Sequence, residues 1–276
     1  MGLPISLALR GRHADDRQGY DAWQSALAEL RHVDEVFSTY RADSYVSRLG
    51  RGELALGECP AEVAEVLDLA EEARVASAGA FDVRRPGPEG TTVFDPSGVV
   101  KGWAVQRAAR AFEDLDDTDV CLSGGGDMVC RLGAPDHEPW QIGIEDPHDP
   151  RRLLARIPVR DAAVATSGLA HRGAHIVHGV TGAAPQGIAS VTVVADDLTW
   201  ADIDATAAFA QGTGALNWLR TRPGRAGLVV WKDGTTETFA TAQGGSGRAP
   251  RTHTQAAAAA SPDPTATWGP RARAAR

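Results

Sequence analysis

Apolar residues recur at helical spacing in three long segments of the chain. These are "YDAWQSALAELRHVDEVFSTY" from Tyr20, "PAEVAEVLDLAEEARVAS" from Pro60 and "VVKGWAVQRAARAFEDL" from Val99. Intervals of three and four residues between apolar positions predict a helix with one buried face in each segment. Proline is tolerated in the first turn of a helix and glycine follows helix ends, so the second helix is predicted to begin near Pro60 and end before Gly79.

Alternating apolar and polar residues predict strands in most of the remaining sequence. "VCLSGGGDMVCRL" is typical of two strands joined by a glycine turn, and "GLVVWKDGTTETFA" of a hairpin with Asp233 and Gly234 at its turn. Further strands are predicted in "GLPISLALRG", "WQIGIEDP", "LARIPVRDAAVATSG" and "IASVTVVADD". Because helices and strands come in mixed order rather than as regular βαβ units, the pattern predicts an α+β fold.

Composition narrows the class of protein. The 276 residues include 43% hydrophobic ones, enough for a buried core, and no apolar run approaches the roughly 20 residues that span a bilayer, so no membrane insertion is expected. The net charge of −8 disfavours nucleic acid as a partner.

The first residues lack the basic region and long apolar run of a signal peptide, which predicts a cytoplasmic protein. Cys59, Cys121 and Cys130 form no CxxC pair, which favours free thiols.

The composition changes near residue 243. Residues 243–276 are rich in Gly, Ser, Pro, Ala and Arg and show no apolar periodicity. Such a segment cannot bury enough apolar surface to offset the entropy of ordering. We therefore predict one domain over residues 1–242 and a disordered low-complexity tail over residues 243–276.

Two aspartates interrupt an alanine-rich helical segment, "TWADIDATAAFAQG", at residues 199–212. At 100° per residue, Asp202 and Thr206 share one helix face, while Asp204 points about 200° away from Asp202. Thr199 with Asp202 also matches a capping box, in which the acid would only stabilise the start of the helix. Considered alone, the segment is compatible with either a capped helix or a metal site.

Three further motifs contain residues that could bind a ligand or take part in catalysis. "SGGGDM" lacks the third glycine of a dinucleotide fingerprint, which leaves a hairpin turn or a close approach to a ligand. "TSGLAHRGAHIVHGVTG" gathers serine and histidines, but the GxSxG elbow of many hydrolases is absent. "FDPSGVVKGW" places Asp95 and Lys101 in a loop that leads into a helix, where amides and a lysine favour an anion.

Taken in order, nine short motifs of this chain resemble the ApbE-like flavin transferases, the FAD:protein FMN transferases. They are "MGLPISL", "STYRADSYVSRL", "GAFDV", "DPSGVVKGWAV", "LSGGGDM", "WQIGIEDP", "ATSG", "HIVHGVTG" and "ADIDATAAFAQG", and they span roughly residues 1–240. One departure lies at His178 and Gly179, where the family usually has an Asp-Pro pair after a histidine and two apolar residues.

The resemblance implies two mixed α/β lobes with a flavin nucleotide cleft between them. It assigns FAD binding to Met1, Tyr40, Ala80, Phe81, Asp82, Asp95, Lys101 and Ile176. It assigns Mg²⁺ to Asp202, Thr206 and a backbone carbonyl placed at Val100. It gives catalytic roles to His175, Asp202 and Lys101, with His175 as a general base or as the residue that positions the acceptor.

The activity implied is Mg²⁺-dependent transfer of FMN from FAD to a threonine or serine hydroxyl of an acceptor protein, with release of AMP. Two other functions fit the same residues. A Mg²⁺-dependent FAD pyrophosphatase would pass the phosphate to water and release FMN and AMP. A flavin-binding module without catalysis would keep FAD intact.

Overall fold

The computed structural model describes residues 2–87, 90–168 and 176–243. It contains eleven strands within these ranges, in a mixed α/β arrangement as the sequence predicts. They are β1 Ile5–Gly11, β2 Arg84–Pro86, β3 Thr92–Phe94, β4 Thr118–Gly124, β5 Asp127–Arg131, β6 Trp140–Asp146, β7 Asp149–Val159, β8 Ala162–Gly168, β9 Ile188–Ala195, β10 Ala226–Trp231 and β11 Thr236–Ala240.

Six α-helices accompany these strands in the described ranges. They are α1 Arg17–Phe37, α2 Tyr45–Gly50, α3 Ala61–Ala76, α4 Ser97–Ala109, α5 Leu198–Ala210 and α6 Ala215–Leu219. The long apolar segments predicted as helices form α1, α3 and α4. Among the described residues, every helix is too short or too polar to cross a membrane.

One antiparallel sheet organises the protein. Seven strands follow the order β1-β4-β5-β8-β9-β10-β11, while β6 with β7 and β2 with β3 form separate two-stranded ribbons. The predicted glycine turn joins β4 to β5, where Gly125 and Gly126 adopt positive φ angles of 63° and 95° that favour glycine. Cys121 and Cys130 lie opposite each other across this hairpin as free thiols, with their sulfurs 3.7 Å apart.

Helix α5 forms the centre of the core. It packs against β8 and β9 on the sheet and against α4, which in turn packs against α1. Eleven of its thirteen residues are buried, including both aspartates. A helix that is apolar nearly all round is typical of the interior of a protein. Its few polar side chains must therefore find partners on neighbouring elements.

The capping box predicted for Thr199 and Asp202 is wrong. Helix α5 begins at Leu198, and its N-cap is Asp197, whose Oδ1 accepts a hydrogen bond from the amide of Trp200 at 3.1 Å. Asp202 therefore lies beyond the capping position that the sequence pattern assigned to it. Its buried position has another cause, which is its contact with α4.

Candidate functional site

A cavity of about 330 Å³ opens beside α4 and α5, within the size range of small-molecule sites. Its wall comes from the loop before β2, the start of α4, the turn between β4 and β5, the end of β6, the end of β8 and one face of α5. Backbone and polar side chains from distant parts of the sequence therefore meet at one place.

The contact between α4 and α5 positions Asp202. Gly102 of α4 donates its amide hydrogen to Asp202 Oδ2 at 2.9 Å. A Cβ atom at Gly102 would lie 2.6 Å from the carbonyl oxygen of Leu198 and 2.8 Å from Cβ of Asp202, so only glycine allows this approach. Asp202 is 1% exposed. The two helices thus hold a carboxylate where water is largely excluded.

Lys101 lies between two buried carboxylates. Its Nζ contacts Asp127 Oδ2 directly and lies 3.0 Å from Asp202 Oδ1. Burial acts against the charge of Lys101, but Asp202 and Asp127 outweigh it and raise the pKa of the amine above its ordinary value. Burial raises the pKa of Asp202 to about 7, although the charge of Lys101 acts in the opposite direction. Lys101 therefore stays protonated.

Asp202 retains unused acceptor capacity. Among the described residues, its Oδ1 has no well-aligned hydrogen-bond donor, even though Lys101 is close. One turn along the same face, Thr206 Oγ1 lies 3.0 Å from Ser167 Oγ of β8. Both Asp202 and Thr206 line the cavity, as their shared helix face predicts.

Asp127 links this cluster to the sheet. Its Oδ1 accepts a hydrogen bond from the amide of Thr166 on β8 at 2.9 Å, while its other oxygen contacts Lys101. Asp127 is the first residue of β5, directly after the glycine turn. Strands β5 and β8, helix α4 and helix α5 thereby form one connected polar network at the cavity wall.

A close backbone approach positions the loop that ends at Asp82. The amide of Gly179 donates to the carbonyl oxygen of Ala80 at 2.9 Å. A Cβ atom at Gly179 would lie 2.5 Å from the oxygen of Gly79 and 2.7 Å from Cβ of Asp82. The glycine in the His178-Gly179 departure therefore allows segment 176–182 to pack against the cavity loop.

Phe81 is held from the other side by α4. A Cβ atom at Gly98 would lie 2.9 Å from the Phe81 ring and 3.9 Å from the Thr206 methyl group. Glycine at the first turn of α4 thus brings Phe81, the helix start and Thr206 together at the cavity.

The structure places most of the predicted site residues around this one cavity. Those that line it are Ala80, Phe81, Asp82, Asp95, Lys101, Ile176, Asp202 and Thr206. Tyr40 is 92% exposed in the segment between α1 and α2 and is not part of the cavity wall. Val100 is buried in α4 and does not line the cavity, whereas Gly98 does. Met1 and His175 lie outside the described residues.

Sequence reasoning missed several polar residues of the wall. Asp127, Thr166, Ser167, Arg85 and Asp146 all line the cavity, and none was singled out as a site residue. For Asp127 a signal existed, because an acid directly after a glycine turn stands at a strand end, where a ligand can approach. Thr166 and Ser167 lie in the motif that gathers serine and histidines, and Asp146 lies in "WQIGIEDP", but their place in the wall depends on which strands become neighbours. Arg85 carries no local signal.

The fold and the cavity define an α+β protein with a buried acid, lysine and hydroxyl cluster beside a ligand-sized opening. The ApbE family model matches residues 1–85 and 87–229 of the chain. The chain therefore belongs to the ApbE family. No curated protein sequence matches it.

Solved structures show the same fold. The ApbE protein of Thermotoga maritima superposes with a TM-score of 0.70 at 21% identity, over 86% of this chain and 93% of that one. The apo flavinyl transferase ApbE of Pseudomonas stutzeri gives 0.68 at 22% identity, over 87% and 94%. The flavin transferase ApbE of Vibrio cholerae gives 0.67 at 21% identity, over 87% and 97%.

Proposed function

We propose that this chain is an FAD:protein FMN transferase. Its family membership and its similarity to structures named as flavin transferases support the reaction class. The observation that carries the proposal is the buried carboxylate of Asp202, whose Oδ1 has Lys101 close by but no well-aligned donor among the described residues, and which lines the cavity together with Thr206. A buried carboxylate oxygen without a well-aligned donor is costly unless a ligand uses it.

The donor set at this position fits Mg²⁺. Mg²⁺ is usually bound by one or two carboxylates together with substrate phosphate oxygens. Within the described ranges, no group of three or more His, Cys, Asp or Glu side chains is arranged to hold a metal by itself. Asp202 and Thr206 would therefore hold the ion together with the substrate, and the predicted carbonyl ligand at Val100 stays part of this proposal. When bound, Mg²⁺ would neutralise charge on the phosphates.

The other predicted site residues would move the proton, stabilise charge and bind FAD during the transfer. The hydroxyl oxygen of an acceptor threonine or serine bonds to the FMN phosphorus. The bond between this phosphorus and the bridging oxygen of the pyrophosphate breaks, and AMP leaves with the bridging oxygen. His175 takes the hydroxyl proton, since a neutral imidazole accepts protons near pH 7. Lys101 holds positive charge near the phosphates, and Ala80, Phe81, Asp82, Asp95 and Ile176, with Met1 and Tyr40, bind the rest of FAD.

One incubation separates the three candidate functions. The purified chain is mixed with FAD, Mg²⁺ and a panel of proteins that carry exposed threonines and serines, and AMP, FMN and protein masses are then measured. A transferase gives AMP and an acceptor heavier by one FMN unit. Free FMN with AMP would instead show a pyrophosphatase, and bound but intact FAD would show a binding module.

His175→Ala tests the proposed general base. The variant is expected to bind FAD with the affinity of the wild type and to lose transfer, because the hydroxyl proton then has no acceptor. His178→Asp, which restores an acid to this segment, is the control and should preserve or raise transfer. If His175→Ala transfers FMN at the wild-type rate, the base is another residue.

The domain boundary and the location are also proposals. We propose that residues 1–242 carry the whole activity, with residues 243–276 as a separate tail. We further propose that the acceptor is a cytoplasmic protein or the cytoplasmic side of a membrane complex.

A further inference from the structure

Arg85 is a cationic residue at the cavity and has no role in the reaction proposed above. It is the middle residue of β2, pairs in register with Val93 of β3, is half-buried and lines the cavity. Side chains alternate along a strand, so the neighbouring Arg84 belongs to the other face of the ribbon. There the Arg84 guanidinium lies 5.2 Å from the centre of the Phe94 ring.

The groups that the sequence assigned to an anion are already engaged. Lys101 is held by two carboxylates. At the start of α4, the amide of Ser97 donates to Asp95 Oδ1 at 3.0 Å, and the amide of Val99 donates to the carbonyl oxygen of Pro96 at 2.9 Å. A phosphate therefore gains less from the helix start and from Lys101 than the sequence pattern alone indicates.

The cavity wall has more acidic than basic side chains, so a negatively charged ligand needs a cation that is not already paired. Among the described residues the wall contains six carboxylates against two cations, Arg85 and Lys101. A pyrophosphate would add further negative charge. Arg85 has no ion pair within residues 2–87, 90–168 and 176–243, so its guanidinium is available to a ligand. A guanidinium can donate two parallel hydrogen bonds to one phosphate.

We propose that Arg85 binds a phosphate group of the dinucleotide substrate. This inference rests on the function proposed above, because it requires FAD in the cavity. Arg85 then supplies the charge that Lys101, held by its two carboxylates, cannot fully provide.

Equilibrium binding with and without phosphate groups tests this role. Arg85→Gln and the matched control Arg84→Gln are titrated with FAD, FMN and riboflavin by flavin fluorescence, in Mg²⁺ and in EDTA. Arg85→Gln is expected to raise the Kd for FAD about tenfold to a hundredfold, as for a lost hydrogen bond to a charged group. The Kd for riboflavin should stay unchanged. Arg84→Gln should leave both unchanged, and Arg85→Lys should lie between wild type and Arg85→Gln.

The other outcomes distinguish failure of the Arg85 role from failure of the proposed function. If the wild type binds FAD and Arg85→Gln binds it equally well, the role of Arg85 is refuted while the proposed function stands. An equal loss of riboflavin and FAD shows that Arg85 shapes the cavity rather than binding phosphate. Absence of FAD binding by the wild type refutes the proposed function itself.

Discussion

Asp202 and Asp127 provide a matched pair for testing the metal site. Both contact Lys101, but only Asp202 shares a helix face with Thr206. We expect Asp202→Ala to lower Mg²⁺-stimulated AMP release by at least about a hundredfold, because metal ions supply several kcal/mol of charge stabilisation in such reactions. Asp127→Ala removes one partner of Lys101 and should keep the Mg²⁺ midpoint of the wild type.

The measurement is a Mg²⁺ titration of FAD-loaded protein that follows AMP release. Thermal melting of both variants establishes that they are folded. The metal assignment fails if Asp127→Ala shifts the Mg²⁺ midpoint while Asp202→Ala leaves it unaltered.

Asp204 shows that the position of a residue around a helix does not by itself predict its burial or its partners. The sequence correctly places it away from Asp202, and a position off the candidate site predicts that its loss costs little. In the structure Asp204 is fully buried, and its two oxygens pair with Arg222 at 3.0 Å and Arg225 at 2.6 Å. That expectation is therefore corrected.

We predict that Asp204→Ala lowers the free energy of unfolding by about 3 kcal/mol, because it leaves two largely buried arginines without their carboxylate. Urea unfolding measures this change. Asp21→Ala is the control, since it removes an acid from the exposed pair with Arg17 and should change stability little. Equal stabilities of the two variants would contradict the prediction.

At the scale of elements, one histidine ties the β5–β6 connection to the start of β4. His137 Nδ1 lies 2.6 Å from Asp119 Oδ1, and Asp119 also pairs with Arg10 of β1 at 2.8 Å. The hydrogen bond to Asp119 raises the pKa of His137 above its ordinary value. Burial acts to raise the pKa of Asp119, but the hydrogen bond from His137 and the other donors lower it overall.

This pair predicts a pH-dependent contribution to stability. Because the pKa of His137 is higher in the folded than in the unfolded state, its contribution is complete below the unfolded pKa of about 6.5 and is lost as pH rises through the folded value. Melting temperatures of wild type and His137→Gln should therefore differ most at pH 5.5 to 6, roughly, and converge at alkaline pH. A difference that grows with pH would reverse the sign and refute the assignment.

At the scale of the whole molecule, residues 1–244 form one compact unit. The change in composition near Gln243 predicts that a chain of residues 1–242 keeps the melting temperature and FAD affinity of the full chain. The physical reason is that the removed segment lacks the apolar surface that would offset an ordering cost of about 1 to 2 kcal/mol per residue. Differential scanning calorimetry and a flavin titration of both chains measure this. A melting temperature several degrees lower would show that the tail packs on the body.

The sequence by itself determined the long helices, most strands of the main sheet and the helix face that carries Asp202 and Thr206, but not the short elements α2, α6, β2 and β3. Strand alternation, glycine turns and helical spacing are local properties, and they act over a few residues. For the same reason the hairpins β4 to β5 and β10 to β11 match their predictions. The order of motifs was specific enough to indicate the family.

Only the tertiary structure decided which distant groups meet. The contact of Lys101 with Asp127, the close approach of Gly179 to Asp82 and the burial of Asp204 join segments far apart in sequence. No periodicity encodes such contacts, because they depend on strand order and on how α4 and α5 cross. The charge of the cavity follows from the same packing, which pairs Lys101 with two carboxylates and leaves Arg85 at the wall without an ion pair among the described residues.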